Sequence, residues 1–335
     1  LIVHLGGEDI LENCLNSIRK SEKNYEVYLL LNNCRDKSEK IAKKTINNIK
    51  IFKTNKTIGF AESCNFLAKK SKSKYLLFLN DDTEVTKNFL GEMIKTMKKH
   101  KNCAACQPKI KNYYKRDEFE YAGAAGGFID KYGYPFCRGR IFDSVERDYG
   151  QYDDEIRIFW GCGVCLLVER AFFLKIGGFD EGFFMYAEEI DFCWRTNLYG
   201  KEIWYCPKAE IYHIGSYSIK REKIKLKKDY LITRNHLLLI LKNYNFLKLM
   251  EILPVRIILE VIAAVRFFPV RTISLMSSFF TIPYLFINKM RKKRKKVFDF
   301  RDQYNKKLDL IFKKCLVLEY YFYRKKTWKA LQKQN

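Results

Sequence analysis

Hydrophobic and polar positions change period along this chain, and the changes mark out its elements. Residues 1–5 form an apolar run. Between residues 8 and 21, Ile10, Leu11, Cys14, Leu15 and Ile18 recur three and four apart, which gathers them on one side of a helix. Residues 25–31 and 49–54 read as strands, residues 32–45 and 59–71 turn into helices, and residues 74–79 form another strand. Strand–helix alternation with such short links predicts a doubly wound, parallel α/β sheet. Ligands of such sheets bind beyond the carboxyl ends of the strands, and polar clusters follow Leu31, Thr54 and Leu79 at those ends.

The middle of the chain, about 100–215, is irregular. It holds the Gly-rich "YAGAAGGFIDKYGYP", the basic "CRGR" and the strand-like "IFWGCGVCLLV". The segment 183–200 reads as a helix stopped by Gly200. From about residue 221 the chain becomes rich in Lys, Arg and long apolar runs with a helical pattern. The expected division is therefore 1–220 and 221–335.

Composition adds two constraints. With 47% hydrophobic and 16% aromatic residues, the 335-residue chain has a sizeable core. A net charge of +25 points to an anionic partner: nucleic acid, an acidic membrane or a phosphate-bearing substrate. Two pairs, Cys103/Cys106 and Cys162/Cys165, have the C-x-x-C spacing of zinc sites. Both lie in strand-like contexts, where positions i and i+3 face opposite ways, so zinc is not expected. The other cysteines are scattered, as in a reduced cytosolic protein. The apolar start predicts that the first strand begins upstream of residue 1, which leaves an N-terminal targeting segment open.

Residues 245–288 are strongly apolar but carry Glu251, Arg256, Glu260, Arg266 and Arg271. The charge-free run 272–288 contains Pro283 and is short for a span. The basic cluster "KMRKKRKK" (289–296) follows it. Apolar helices beside a basic cluster suit the surface of an anionic membrane, against the plainer reading of a helical bundle with a solvated charge run.

Three stretches carry candidate chemistry. "LNDDT" ends an apolar strand in Asn80, Asp81 and Asp82. It is either a polar turn or a site where hard oxygen ligands hold a divalent cation against a diphosphate. In "GGFDEGFFMYAEEIDFCWR", Glu188, Glu189 and Asp191 open a helix, where acids also complement the dipole. Asp191 and Arg195 are spaced as an i,i+4 ion pair, whereas Glu189 points about 100° from Glu188 and is free to face a cleft as a base. In "AEIYHIGSYS", His213 ends a strand-like run and could complete a metal shell.

These motifs, in this order, resemble the family 2 glycosyltransferases of the GT-A fold, especially their rhamnosyltransferase-like branch. "LLLNNCRDKSEKIA" resembles the second-strand nucleotide loop. "TNKTIGFAESCNFLAKKSKSKYLLFLNDDTEV" resembles the segment ending in the D-x-D-type site. The other two stretches resemble the F-D-E…E-D block and the histidine strand after it. The resemblance covers residue 1 to about 215, and loosely to 245. It implies a GT-A-type, doubly wound, mixed but mainly parallel sheet flanked by helices, followed by a helical C-terminal region. It also implies an inverting, metal-dependent hexosyltransferase that moves a sugar from a nucleotide-diphosphate donor to a hydroxyl of a glycan or lipid-linked acceptor.

The implied roles follow residue by residue. Asp82 and His213 would hold Mg2+ or Mn2+. Asn32, Asn33, Asp36, Asn55, Gly59, Asn65, Asn80 and Asp81 would contact the donor. Glu189 would be the base, with Glu188 as runner-up. Arg138, Arg140, Trp160, Gly161 and Asp191 would contact acceptor or phosphate. The implied setting is cell-surface polysaccharide synthesis at the cytoplasmic face of the cell membrane, peripheral or monotopic.

Three departures stand out. Leu31-Asn32 replaces the usual Asp-Asn, Glu189 stands where Asp is usual, and the first strand reads "VHLGG". Rival classes are weaker. A nucleotidyltransferase needs a Gly-rich, basic signature that "GGEDILENC" does not supply. The carboxylate motifs would repel nucleic acid unless a cation intervened, so nucleic acid is not an expected partner. An inactive GT-A-like binding module remains as an alternative.

Overall fold

Four parallel strands near the start of the chain build the half of the sheet that the alternating pattern predicts. In the computed structural model, which describes residues 1–21, 24–215, 222–291, 293–294 and 309–333, they are β1 (Ile2–His4), β2 (Tyr28–Asn32), β3 (Lys50–Thr54) and β4 (Tyr75–Asn80). Helices α1 (Glu8–Ser21), α2 (Ser38–Thr45) and α3 (Phe60–Lys70) connect them. α1 buries Ile10, Leu11, Cys14, Leu15 and Ile18, the stripe that the spacing marks, with Glu8 and Asp9 in its first turn and Arg19 and Lys20 in its last.

After β5 (Thr83–Val85), α4 (Phe89–Lys99) and β6 (Cys103–Asn112), the chain makes four short strands: β7 (Gly127–Asp130), β8 (Pro135–Cys137), β9 (Arg140–Ile141) and β10 (Ser144–Val145). β11 (Ile156–Ile158), β12 (Cys165–Glu169), α5 (Arg170–Lys175), α6 (Glu188–Leu198) and β13 (Glu202–His213) follow. The large sheet runs β11-β13-β6-β12-β4-β1-β2-β3, with β5 pairing β13. β12 lies antiparallel between β4 and β6, so the sheet is mixed. β4 is thereby central, and its Leu76, Phe78 and Leu79 are buried. Each such side chain contributes about 1.5–3 kcal/mol relative to exposure.

Two segments depart from the sequence expectation. "IFWGCGVCLLV" is not one strand: β11 ends at Ile158 and β12 begins at Cys165. Between them the chain bends, and the Cys165 amide donates to the Cys162 carbonyl at 3.2 Å. The helix expected over 183–200 begins only at Glu188. Phe184, Tyr186 and Ala187 have φ of 68°, 71° and 70°, left-handed values that a right-handed helix excludes.

Past residue 221 come α7 (Glu222–Asn243), α8 (Phe246–Arg266) and α9 (Val270–Leu285). The expected boundary at 220/221 lies outside the described residues, as do Lys292, Lys295 and Lys296 of the basic cluster. α7 is bonded into the loop before α6, as described below. The charges within the apolar tail turn inward. Arg256 and Glu260 are fully buried and paired at 2.9 Å, and Arg271 reaches the other Glu260 oxygen at 2.8 Å. The Arg256 guanidinium lies 3.7 Å over the Tyr134 ring. The chain then returns: β14 (Ile311–Phe312) pairs with β7 in a second sheet ordered β10-β9-β8-β7-β14, and Trp328 of α10 (Trp328–Gln332) packs 4.4 Å from Phe128.

Candidate active site

Strand register brings the two ends of the "LNDDT" and "YHIG" motifs together. β5 pairs antiparallel with β13, with Thr83 opposite His213, and the Ile214 amide donates to the Asp82 carbonyl at 2.9 Å. This places His213 Nε2 3.1 Å from Asp82 Oδ1. On its other side, Nδ1 lies 3.7 Å from Oε1 of Glu120, a buried carboxylate that sequence reasoning missed because "FEYAG" carries no motif. Asn112 donates to the second Glu120 oxygen at 3.1 Å.

Burial works to lower the pKa of His213. Asp82 and Glu120 outweigh it and raise the imidazole to about 9. Asp82 Oδ1 and both ring nitrogens of His213 are nevertheless buried without an aligned hydrogen bond. Buried polar atoms of this kind are normally satisfied. A hard carboxylate converging with an imidazole, which offers a nitrogen lone pair once a cation displaces its proton, is a donor set that fits Mg2+ or Mn2+.

Asp81 points elsewhere. Its Oδ2 lies 2.6 Å from Nδ1 of His4, whose Nε2 meets Ser38 Oγ at 2.8 Å. His4, fully buried at the end of β1, thus ties β4 to the start of α2. Among the described residues the Asn80 side chain has no hydrogen bond, and its backbone N–H donates to the Val164 carbonyl at 2.9 Å.

The carboxylates of α6 sit on the far side of that same loop. The N–H of Gly163, adjacent to Val164, donates to Glu189. Burial pushes Glu189 up to about 7, against backbone N–H donors from Ala187, Glu189, Ile190 and Gly163. Burial pushes the Glu188 carboxyl up as well, and the charge of Glu189 adds to it. Each glutamate has one buried oxygen, Oε2, without a partner. Asp191 does the opposite. It is fully buried, and although burial would raise its pKa, Arg195 and Lys242 lower it. Its Oδ2 takes Arg195 Nε and Lys242 Nζ, both at 2.8 Å, and its Oδ1 takes Asn243 at 3.0 Å. The i,i+4 pair expected from spacing is present.

α7 fixes the left-handed turn that presents Glu188 and Glu189. The Asn235 amide donates to the carbonyls of Phe183, Met185 and Tyr186 at 3.0, 2.8 and 2.6 Å, and Arg234 also donates to Phe183 at 2.7 Å. Lys242 bridges Asp180 and Asp191 at 2.7 and 2.8 Å. Gly59 approaches the turn so closely that a Cβ there would lie 2.7 Å from the Phe184 oxygen. Nothing in the sequence marks Arg234 and Asn235, because their partners are backbone carbonyls 49 to 52 positions away.

Several expected contacts are corrected. Asn32 is buried, and its amide is spent on Ile58 and Thr54, so it pins the loop after β3 and offers nothing to a donor. Asn65 likewise holds Phe179 and Glu181. Asp191 is locked in the ion network above, with both carboxylate oxygens occupied. Arg138 is buried against Asp154 at 2.7 Å, between the rings of Tyr152 and Tyr205. Trp160 is buried against Gly127, with its indole N–H on the Phe128 carbonyl at 2.8 Å. Gly161 is a packing glycine: a Cβ would lie 2.6 Å from Leu166.

Residues at the strand ends remain accessible. Asn33, with φ of 58°, donates to Thr57 at 3.1 Å, and Asn55 is exposed. Asp36 is exposed. Burial opposes it, but donors from Cys34, Ser38 and the Gly7 amide hold its carboxyl well below the usual range.

A carboxylate–imidazole pair at the carboxyl ends of a Rossmann-like half-sheet, joined through one loop to a half-buried glutamate, defines a GT-A-type glycosyltransferase. The sequence profile of "Glycosyl transferase family 2" matches residues 1–174, and the chain belongs to that family. It is 24% identical over 223 residues to the rhamnosyltransferase WbbL of Escherichia coli K12, covering 64% of this chain and 81% of that protein. It is 35% identical over 88 residues to the N-acetylglucosaminyl-diphospho-decaprenol L-rhamnosyltransferase of Mycobacterium tuberculosis H37Rv, covering 26% of this chain and 29% of the other. Among solved structures, GalNAc-T7 with UDP, GalNAc and Mn2+ aligns with TM-score 0.55 and 16% identity, over 72% of this chain and 47% of that one. The mannosyltransferase PcManGT of Pyrobaculum calidifontis with GDP-Man and Mn2+ aligns with TM-score 0.50 and 11% identity, over 91% and 86%. These two likenesses establish the fold.

Proposed function

We propose that this glycosyltransferase moves a deoxyhexose or hexose from a nucleoside diphosphate to a hydroxyl of a lipid-linked glycan, with inversion, in cell-surface polysaccharide synthesis. The observation that carries the mechanism is the loop 163–164. Val164 is bonded to Asn80 at the diphosphate end of β4, and Gly163 is bonded to Glu189. One two-residue loop segment thus ties the base to the strand end that leads into the cation ligands.

Glu189 takes the proton of the acceptor hydroxyl. The freed oxygen attacks the anomeric carbon opposite the diphosphate, and one displacement inverts that centre. A carboxyl held near neutrality is suited to this, because it accepts a proton with useful driving force. Asp82 and His213 would hold a divalent cation, with Glu120 behind the imidazole. The cation supplies charge neutralisation to the leaving diphosphate. Asn33, Asp36, Asn55, Asn80 and Asp81 line the donor side. Rhamnose is the sugar that the relatives favour, since two of them are named rhamnosyltransferases.

We further propose residues 1–220 as the nucleotide-sugar domain and 221–335 as a region held at the cytoplasmic face of the membrane. What supports this is the outward side of α8, α9 and the link between them, where Leu247, Ile258, Val265, Phe268 and Phe280 are exposed while Arg256 and Glu260 face inward. Among the described residues, the helical stretch Val270–Met290 is the one long and apolar enough to cross a membrane, although only 17% of its apolar window is buried. Lys289 and Arg291 flank it, exposed, which fits anionic lipid.

The test of the enzyme is Glu189→Gln. The expected result is donor binding as in the wild type with transfer abolished. Undiminished transfer would overturn the assignment of the base.

A further inference from the structure

Glu120 lies on a segment that runs back along β6. Its amide donates to the Ile110 carbonyl at 3.0 Å, and the Asn112 amide donates to the Glu118 carbonyl at 3.0 Å. Lys111 forms an antiparallel bridge to Phe119 between them. Arg140 donates its Nε–H to the Tyr121 carbonyl at 2.9 Å and so anchors the residue after Glu120.

The side chain is aimed as firmly as the backbone. Asn112 sits opposite His213 in the parallel ladder of β6 and β13. Its Oδ1 accepts the amides of Tyr114 and Lys115, both at 2.9 Å, which leaves its NH2 group to donate to Glu120 Oε2 at 3.1 Å. Glu120 Oε1 then faces His213 Nδ1 at 3.7 Å, and among the described residues His213 is its one ion-pair partner. Gly215, with φ of 63°, closes the remaining side. A Cβ there would lie 2.9 Å from Glu120 Oε1 and 3.7 Å from His213 Nδ1, so a side chain at this position would press the carboxylate off the ring.

The two nitrogens of an imidazole point away from each other, and each has its own partner here. Asp82 Oδ1 is 3.1 Å from Nε2, whereas Glu120 is on the Nδ1 side. A cation shared by Asp82 and Nε2 lies on the side of the ring away from Glu120. Glu120 is therefore placed to act on the ring and not on the ion. A buried carboxylate supported by one neutral amide is costly, and the imidazole N–H offsets that cost.

We propose that Glu120 is a positioning residue for the cation site: it accepts the hydrogen bond of His213 Nδ1–H, which fixes the tautomer with its lone pair on Nε2 and turns that lone pair toward Asp82. When Nε2 takes the ion, its proton leaves to solvent and the ring keeps the one on Nδ1. The proposal rests on the reading of Asp82 and His213 as cation ligands.

The experiment uses the full chain and Mn2+ alone. Electron paramagnetic resonance of the free ion gives the affinity. Electron spin-echo modulation by nitrogen reports whether an imidazole is bound to the ion. Glu120→Gln keeps an acceptor for Asn112 and removes the charge. It is expected to weaken Mn2+ about ten- to a hundredfold and to reduce the nitrogen modulation of the ion that does bind. Glu120→Asp keeps the charge and should recover part of both. His213→Gln should abolish the modulation. A purely structural Glu120 would lower the melting temperature of Glu120→Gln and leave affinity and modulation as in the wild type, and that result overturns the proposal. So does a loss of affinity with the modulation intact, which would make Glu120 a ligand of the ion. Failure of the cation reading is a different result and takes this proposal with it: Mn2+ affinity then does not differ among the wild type, Asp82→Asn and His213→Gln.

Discussion

Asp82 Oδ1 and His213 Nε2 lie 3.1 Å apart because Thr83 and His213 are opposite each other in the ladder between β5 and β13. Two residues 131 positions apart are thus brought together by a three-residue strand, and neither finds an aligned hydrogen bond there. Asp82→Asn and His213→Gln should each weaken Mn2+-dependent nucleotide binding, by about tenfold or more, because each removes one donor to a cation. Thermal shift against nucleotide with and without Mn2+ reads this directly. An unchanged Mn2+-dependent shift in both variants would remove the pair from the cation site.

The glutamate base should be costly to the fold above neutral pH. Its folded pKa of about 7 is raised above the ordinary carboxyl value, so the folded state binds the proton more tightly than the unfolded one. That contribution is present at low pH and is lost as pH rises through about 7, where the buried carboxylate becomes charged. Transfer should rise over the same interval, since only the ionised form accepts the proton. Glu189→Gln should therefore be inactive yet more stable than the wild type at pH 8, by on the order of 2 kcal/mol, with the gap shrinking toward pH 5. Denaturant melts at the two pH values measure it. A variant less stable at pH 8 would contradict the sign.

α7 acts on the chemistry from outside the matched family segment. Asn235 touches neither Glu188 nor Glu189, but its amide bonds hold three carbonyls of the left-handed turn that precedes them. Such backbone costs about 1–3 kcal/mol per residue and persists only when its surroundings over-determine it. Asn235→Ala should lower kcat by about ten- to a hundredfold, as expected for a displaced base, while the donor KM stays close to wild type. Equal effects on kcat and donor KM would indicate general unfolding instead of a misplaced turn.

The parallel half of the sheet was legible because each strand and helix there has its own period: the α1 stripe is buried as spaced, and β4 ends where Asn80 begins the polar cluster. The i,i+4 link of Asp191 to Arg195 was legible for the same local reason. What escaped depends on long-range partners. The pattern of residues 183–187 looks helical, yet Asn235 and the close approach of Gly59 hold the backbone left-handed. Asn32, Asn65 and Trp160 look like ligand contacts by position, but their polar atoms are spent on backbone groups of Ile58, Phe179 and Phe128. Glu120 carries no local signal, and only the fold sets it beside His213.

The apolar outer face of α8 and α9 gives the last prediction. Arg256, Glu260 and Arg271 interrupt an otherwise apolar stretch of the sequence. Arg256 and Arg271 share the Glu260 carboxylate on the inner side, leaving Phe268 and Phe280 75% and 81% exposed on the outer one. Exposed rings of this size mark an interaction surface, and the flanking Lys289 and Arg291 favour an anionic bilayer. The double variant Phe268→Asp, Phe280→Asp should lower partition into phosphatidylglycerol vesicles by about tenfold or more, since each ring loses its burial and gains a charge. Circular dichroism and nucleotide binding should not change, because both side chains point away from the core. Raising the salt should weaken the wild type's binding to anionic vesicles by screening the basic flank. Vesicle binding that is unaffected by the double variant would assign this face to a protein partner in place of lipid.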